Sequence, residues 1–374
     1  MRSLLVTGGA GFIGGNFVHY WREAHPSDRI VVLDALTYAG NRMTLAALEG
    51  ARNYAFVHGN IGDQPLVESL LREHGADTIV HFAAETHVDR SIHGPDEFIA
   101  TNVVGTHSLL KACRQVWQTE QSVQRHRFHH VSTDEVFGSL GPDDPPFTET
   151  SAYAPNSPYA ASKAASDHLV RAYARTYGLE VTTSNCSNNY GPYHFPEKLV
   201  PLVIVNLLEG RPLPIYGDGR NVRDWLFVRD HCRAIDQVLD CGRPGETYNV
   251  GGRAELENIA LVGMLCGLAD DLFAAEPSLG DRFPNCPAAS GRPTRSLVKF
   301  VADRPGHDRR YAIDRSKIER ELGFEQAVKP ADGLRSTLRW YLDNETWWRA
   351  IMDGSYHTWV AQQYGGQQST GLSR

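Results

Sequence analysis

The chain has no excess of basic residues, no paired-cysteine motif and no apolar run read as long enough to cross a bilayer, and each absence removes a class of function. A formal net charge of −7 and a pI near 6.1 leave no basic field for a nucleic acid or an anionic lipid surface, so neither is an expected partner. An anionic small ligand must be held by local charges instead. The six cysteines, Cys113, Cys186, Cys232, Cys241, Cys266 and Cys286, show neither CxxC nor zinc-ligand spacing,. The first strand-like run starts beside Met1 with no signal peptide ahead of it, so reduced thiols and a cytoplasmic location are expected. The one biased segment is the Gly/Gln/Ser tail at 362–374, expected to fray.

What remains is ordinary globular material: 374 residues, 41% hydrophobic and 22% charged, enough for one large or two intimate domains. Strand-like runs at 3–7, 30–34, 54–58, 78–82, 128–132 and 181–186 alternate with helix-like stretches at 11–25, 65–74, 101–118 and 158–177. That alternation predicts right-handed βαβ units and a doubly wound parallel α/β sheet of the Rossmann kind. Past residue 188 the pattern changes to Pro- and Gly-rich loops between short helices, with a late helix pair around 315–322 and 332–342. The expectation is a dinucleotide-binding domain over 1–187 and a smaller α/β substrate domain over 188–345. The two interleave, because 225–228 and 247–250 look like strands able to return to the main sheet.

Thr7-Gly8-Gly9-Ala10-Gly11-Phe12-Ile13-Gly14 follows the first strand and opens the first helix, the context that makes a glycine pattern a dinucleotide fingerprint. Gly8 permits the tight turn, Gly11 lets the backbone approach a pyrophosphate at a helix N-terminus, and Gly14 allows close helix–strand packing. Glycines alone would also suit a turn that binds nothing. Asp34 at the end of the second strand weighs against that, since a carboxylate there accepts from an adenosine ribose and repels a 2'-phosphate. NAD is expected over NADP.

The run at 128–131 leads into Thr133, Asp134 and Glu135 at a strand end, where ligands of parallel sheets bind. Tyr159 and Lys163 stand four apart on one helical face, so an ammonium can sit beside a phenol and make an oxidation base. Singly, Tyr159 could be a surface tyrosine, Lys163 a solvated charge and the two acids a turn or cap. Together, in the order of one fold, they imply hydride chemistry combined with acid–base chemistry. The histidines at 81, 87, 93, 126, 129 and 130 suggest a metal, but alternation along a strand sends His129 and His130 to opposite faces, and none is expected.

Beyond these features, the chain resembles the extended short-chain dehydrogenase/reductase superfamily and, within it, the dTDP-glucose 4,6-dehydratases. The likeness runs from residue 3 to about 345 through AAETHVDRS (83–91), STDEVFG (132–138), SPYAASKAASDHLVRAYARTYG (157–178), NCSNNYGPYHFPEKLVPL (185–202), GDGRNVRDWLFVRDH (217–231), GETYNVGG (245–252) and DRPGHDRRYAID (303–314). The block with Asn188, Asn189, Pro196, Glu197 and Lys198 is especially specific. The resemblance implies Tyr159 as base for a sugar 4-hydroxyl, with Lys163 lowering its pKa and holding the nicotinamide ribose. It implies Thr133 on the 4-oxygen, Asp134 as the acid for a departing 6-hydroxyl and Glu135 as the base for the C5 proton. It places Phe12, Ile13, Asp34, Thr37, Ala83, Thr101 and Asn189 near NAD. Around the nucleotide sugar it places Glu85, Asn188, Lys198, Leu199, Pro214, Tyr216, Arg223, Asn258 and the loop from Asp303 to His307. Lys198 and Arg223 suit a diphosphate.

Two departures stand out: Asn60-Ile61 where relatives carry Asp-Ile against the adenine, and a longer stretch at 281–300. The resemblance also implies a homodimer, with helices 101–118 and 158–177 in a four-helix interface and Tyr173 and Tyr177 as anchors. The competing readings are a dehydratase for another nucleotide sugar, a 4-epimerase, and a non-catalytic NAD-dependent sensor. Asp134-Glu135 argues against the epimerase and Tyr159/Lys163 against the sensor.

Overall fold

A computed structural model describes residues 1–119, 125–303 and 306–352; the tail at 362–374 lies outside them. The strands are β1 (Ser3–Thr7), β2 (Arg29–Asp34), β3 (Tyr54–His58), β4 (Thr78–His81), β5 (Arg127–Thr133), β6 (Val181–Cys186), β7 (Asn188–Tyr190), β8 (Leu213–Tyr216), β9 (Val222–Phe227), β10 (Thr247–Val250), β11 (Glu255–Glu257) and β12 (Val298–Val301). Seven of them form an all-parallel sheet in the order β3-β2-β1-β4-β5-β6-β10. The order reverses between β1 and β4, so the carboxyl ends of those strands open a crevice.

Both faces of this sheet are covered, which is why β1 and β2 read as continuous apolar runs,. Side-chain alternation divides them. Leu5, Val31, Leu33, Ile79 and Phe128 pack under the helices Gln64–Glu73, Thr106–Cys113 and Pro158–Tyr177. Leu4, Val6, Ile30, Val32 and Val131 pack under the helices Phe12–Ala24 and Val228–Cys241. His130 faces the first layer, bonded to Asp167 at 3.0 Å, whereas His129 bonds Thr182 and Ser184 on β6. Among the described residues no group of three His, Cys, Asp or Glu could hold a metal.

The second unit has its own core around the helices Leu199–Leu208, Asn258–Ala275 and Pro330–Asp343. The two segments expected to return to the main sheet part company. Thr247–Val250 does return, as the edge strand β10 beside β6. Trp225 does not: it lies in β9, which pairs with β7 and β11 in a separate three-stranded sheet. The reason is local, since Asn188–Tyr190 leaves the main sheet just after β6 and offers β9 a partner there.

A second correction concerns apolar length. Asn258–Ala275 is long and apolar enough to cross a bilayer by composition, although the sequence was read as lacking such a run. Its face of Leu261, Val262, Leu265, Cys266, Ala269, Leu272 and Phe273 is buried in the second core, and Asp270 and Asp271 interrupt it. It is a core helix.

The stretch at 281–300 is ordered, with 3-10 turns at Pro287–Ser290 and Thr294–Leu297 leading into β12, which pairs with β8. Of the two tyrosines expected as dimer anchors, Tyr173 is buried at 7% exposure in the core of its own subunit, while Tyr177 is exposed at 40%.

Candidate active site

The crevice at the strand ends is a cleft of about 340 Å³. At its first end β1 turns through Gly8, whose φ of +70° suits glycine,. A Cβ on Gly14 would fall 2.3 Å from the carbonyl oxygen of Gly8, so nothing larger fits between helix and turn. The helix Phe12–Ala24 begins with no side-chain cap and no acid in its first turn. Its positive end is left open toward the cleft, as an anion site requires.

Asp34 is fixed by two backbone donors: Oδ2 accepts from Ala10 N at 2.9 Å and Oδ1 from Leu36 N at 2.8 Å. Burial pushes its carboxyl up and the two N–H groups oppose that. Gly11, Phe12, Ile13, Thr37, Asn60, Ile61, Ala83, Thr101 and Asn189 line the same cleft. Asn60 is exposed, with its Oδ1 engaged by Gly62 N at 2.7 Å.

β5 delivers the candidate acid–base cluster. Its last residue, Thr133, caps the short turn Asp134–Phe137, accepting from Glu135 N at 3.3 Å and donating toward Asp134 Oδ1 at 3.4 Å. Asp134 is 2% exposed. Burial, then the charges of Glu135 and Asp224, hold its carboxyl well above the usual range, which favours the protonated acid. Across the cleft the helix Pro158–Tyr177 starts at Ser157, whose Oγ caps Ala160 N at 3.1 Å, with Pro158 in its first turn. This places Tyr159 and Lys163 on successive turns facing β5.

Lys163 Nζ donates to the carbonyl of Val131 at 2.9 Å. Burial, then Glu135, push the Tyr159 phenol well up, opposed by a hydrogen bond with Thr133.

The sugar-side set divides. Glu85, Asn188, Lys198 and Leu199 line the cleft, and Lys198 Nζ donates to Thr86 O at 2.8 Å. Pro214, Tyr216, Arg223, Asn258, Asp303 and His307 are not among its lining residues. His307 Nδ1 meets Asp303 at 2.6 Å, and the Tyr216 ring lies 6.0 Å from that of His307. Arg223 donates to Asp308 O at 2.9 Å and lies 4.3 Å over the Tyr311 ring, close enough that its charge reaches Asp134. Asn258 N donates to Asn221 O at 3.0 Å. Residues 304–305 of that loop lie outside the described residues.

The cleft also contains residues that sequence reasoning did not assign: Thr86, Cys186, His194, Phe195, Glu197 and Trp225. Phe12 and His194 stack at 4.0 Å with an interplanar angle of 11°. Glu197 is 5% exposed, 3.5 Å from Arg90 Nε, and burial pushes its carboxyl up to about 7. The signal for Glu197 was present in the block that includes Pro196 and Lys198.

The profile of the GDP-mannose 4,6 dehydratase family matches residues 5–337. A dTDP-glucose 4,6-dehydratase of Xanthomonas campestris pv. campestris (strain B100) is 58% identical, over 95% of this chain and 97% of its own. The chain belongs to the nucleotide-sugar 4,6-dehydratases. Among other such dehydratases, the dTDP-glucose 4,6-dehydratase 1 of Escherichia coli (strain K12) is 50% identical over 98% of this chain and 99% of its own. The dehydratase DesIV of Streptomyces venezuelae, solved with NAD bound, superposes with a TM-score of 0.82 at 50% identity, covering 94% of this chain and 100% of that one.

Proposed function

We propose that the cleft converts dTDP-glucose to dTDP-4-keto-6-deoxyglucose and water, with NAD as the resident cofactor. Gly8, Gly11, Gly14 and the uncapped helix end fit a dinucleotide pyrophosphate, and Asp34 fits the adenosine ribose,. When bound, NAD supplies the hydride acceptor for C4 and the donor for C6, and its cationic ring favours the phenolate. Tyr159 takes the 4-hydroxyl proton while Thr133 holds the 4-oxygen. The C5 proton becomes acidic only beside a C4 ketone, so oxidation precedes elimination. Glu135 then removes that proton, Asp134 protonates the 6-hydroxyl so that it leaves as water, and Glu135 returns a proton to C5.

The observation that carries this reading is the buried Asp134, its carboxyl pushed up by burial, beside Glu135 at the end of β5, opposite Tyr159. A 4-epimerase has no use for such an acid, and a sensor none for the Tyr159–Lys163 pair. Functionally we divide the chain at residue 187, the first part holding NAD and residues 188–345 most of the nucleotide sugar, with Lys198 and Arg223 toward the diphosphate. We further propose a soluble homodimer, because Ile99, Val104 and Tyr177 are exposed at 48%, 57% and 40% on two helices that pack against each other,.

Incubation with dTDP-glucose, followed by alkali-induced absorbance of a 4-keto sugar, tests the activity. Turnover of dTDP-glucose well above UDP-glucose and GDP-mannose is expected. A C4-epimerised sugar as product, or no ketone, overturns the reading.

A further inference from the structure

Behind the Tyr159–Lys163 pair lies a buried polar cluster that the mechanism does not use. Asp167 stands one helical turn beyond Lys163, so Tyr159, Lys163 and Asp167 form one stripe of the helix Pro158–Tyr177,. Its carboxylate is saturated by three donors. His130 Nε2 meets Oδ1 at 3.0 Å, and Ser132 Oγ and Tyr153 OH meet Oδ2 at 2.8 and 2.9 Å. His130 and Ser132 flank Val131, whose carbonyl takes the Lys163 ammonium. The stretch of β5 that fixes Asp167 is therefore the same stretch that fixes Lys163, immediately before Thr133, Asp134 and Glu135.

An ammonium with 4% exposure must have a counter-charge or lose its proton,. The titratable groups that face it come from four elements. On its own helix are Tyr159 and Asp167; on β5, β4 and β6 are His130, His81 and Cys186. Burial holds His130 down to about 4 and His81 well below its usual value, so both are neutral near pH 7. Burial holds the Cys186 thiol up at about 12, so it is neutral as well. Tyr159 is a neutral phenol in the protein alone. Asp167, kept ionised by its donors, is the one negative charge among them.

We propose that Asp167 is a positioning residue for catalysis: its buried carboxylate is the counter-charge that keeps Lys163 an ammonium and holds the oxidation base in register with the end of β5. This rests on the assignment of Tyr159 and Lys163 given above.

The sign follows from the charges. Burial lowers the Lys163 pKa and Asp167 raises it, so neutralising residue 167 lowers it further. The ammonium is then lost at lower pH. Asp167→Asn should move the basic limb of the kcat/KM profile acidward by roughly one unit or more, the usual effect of a neighbouring opposite charge. The Lys163 titration midpoint, read by NMR of 13Cε-labelled lysine and identified with Lys163→Arg, should move with it, with or without cofactor. Asp167→Glu should return the limb toward the wild-type position, and Tyr153→Phe, which removes a donor but no charge, should leave it in place.

Asp167→Ser is the second neutral replacement if Asp167→Asn does not fold. If neither folds, the wild-type midpoint of Lys163 must coincide with the basic limb, and a midpoint elsewhere overturns the proposal. A folded neutral variant that is slower at every pH with its limb unmoved overturns it too, because a staple between helix and strand would behave in that way. Full turnover by Lys163→Met would instead strike the Tyr159–Lys163 assignment itself.

Discussion

Replacing Asp34 with Ala should injure the protein twice, once in the cofactor-free fold and once in cofactor choice. The carboxylate accepts from Ala10 N at 2.9 Å and from Leu36 N at 2.8 Å. A hydrogen bond to a charged acceptor contributes about 1.5–3 kcal/mol, and a buried donor left unpaired costs about 1–3 kcal/mol. Ala10 is 1% exposed and cannot recover its bond from water, whereas Leu36 is half-buried and partly can. Leu36 also sits at φ +50°, a left-handed conformation that the Asp34 bond helps to hold. The sum is a loss of about 2–4 kcal/mol in urea unfolding without cofactor. On top of that, losing the ribose contact should weaken NAD by roughly 10- to 100-fold, with NADP changed less, since the wild-type carboxylate repels a 2'-phosphate. Calorimetry with both cofactors reads the second effect. Equal wild-type affinity for NAD and NADP would refute the reading of Asp34, and unchanged cofactor-free stability would refute the two backbone bonds.

Tyr159→Phe should lower the oxidation half-reaction by roughly 100-fold or more, while Glu135→Gln should still oxidise substrate but fail to exchange the C5 proton; equal loss of both steps in both variants contradicts their roles. Glu197, with its folded pKa pushed up from 4.5 to about 7, takes up a proton on folding. Its contribution to stability is therefore fully present below pH 4.5 and is lost as pH rises toward 7, so Glu197→Gln should flatten the fall in stability over that window, and an unchanged slope by chemical denaturation counts against it. Val104→Glu places a charge on the exposed face of the long helix pair, and light scattering should then report half the wild-type mass; a monomeric wild type at micromolar concentration refutes the dimer.

The sheet was legible because its chemistry is local. Continuous apolar runs such as Leu4-Leu5-Val6 can only be buried on both faces, and Gly8 and Gly14 leave no room for a Cβ. That one cleft gathers these five residues was legible for the same reason, since Thr133, Asp134 and Glu135 are consecutive and Tyr159 and Lys163 are one turn apart. What escaped depends on distant pairing. Nothing in the residues around Trp225 announces that β7 will leave the main sheet and capture β9. The long apolar helix Asn258–Ala275 hides its identity until the second core is assembled around it. The upward push on the Tyr159 phenol comes first from burial, and spacing reports which groups are neighbours, not how deeply they are buried. Asp167 lay in the quoted helix block all along, but its partners His130, Ser132 and Tyr153 come from outside that helix.

The central claim is a closed redox cycle, in which the hydrogen removed from C4 is returned to C6 of the same sugar while acids and bases on β5 exchange the C5 proton with solvent. Turnover of dTDP-glucose deuterated at C4, in ordinary water and without added reductant, tests it most directly by NMR or mass analysis of the product. Deuterium at C6 together with solvent hydrogen at C5 is predicted. Solvent hydrogen at C6, or net reduction of cofactor in proportion to product, would contradict the account.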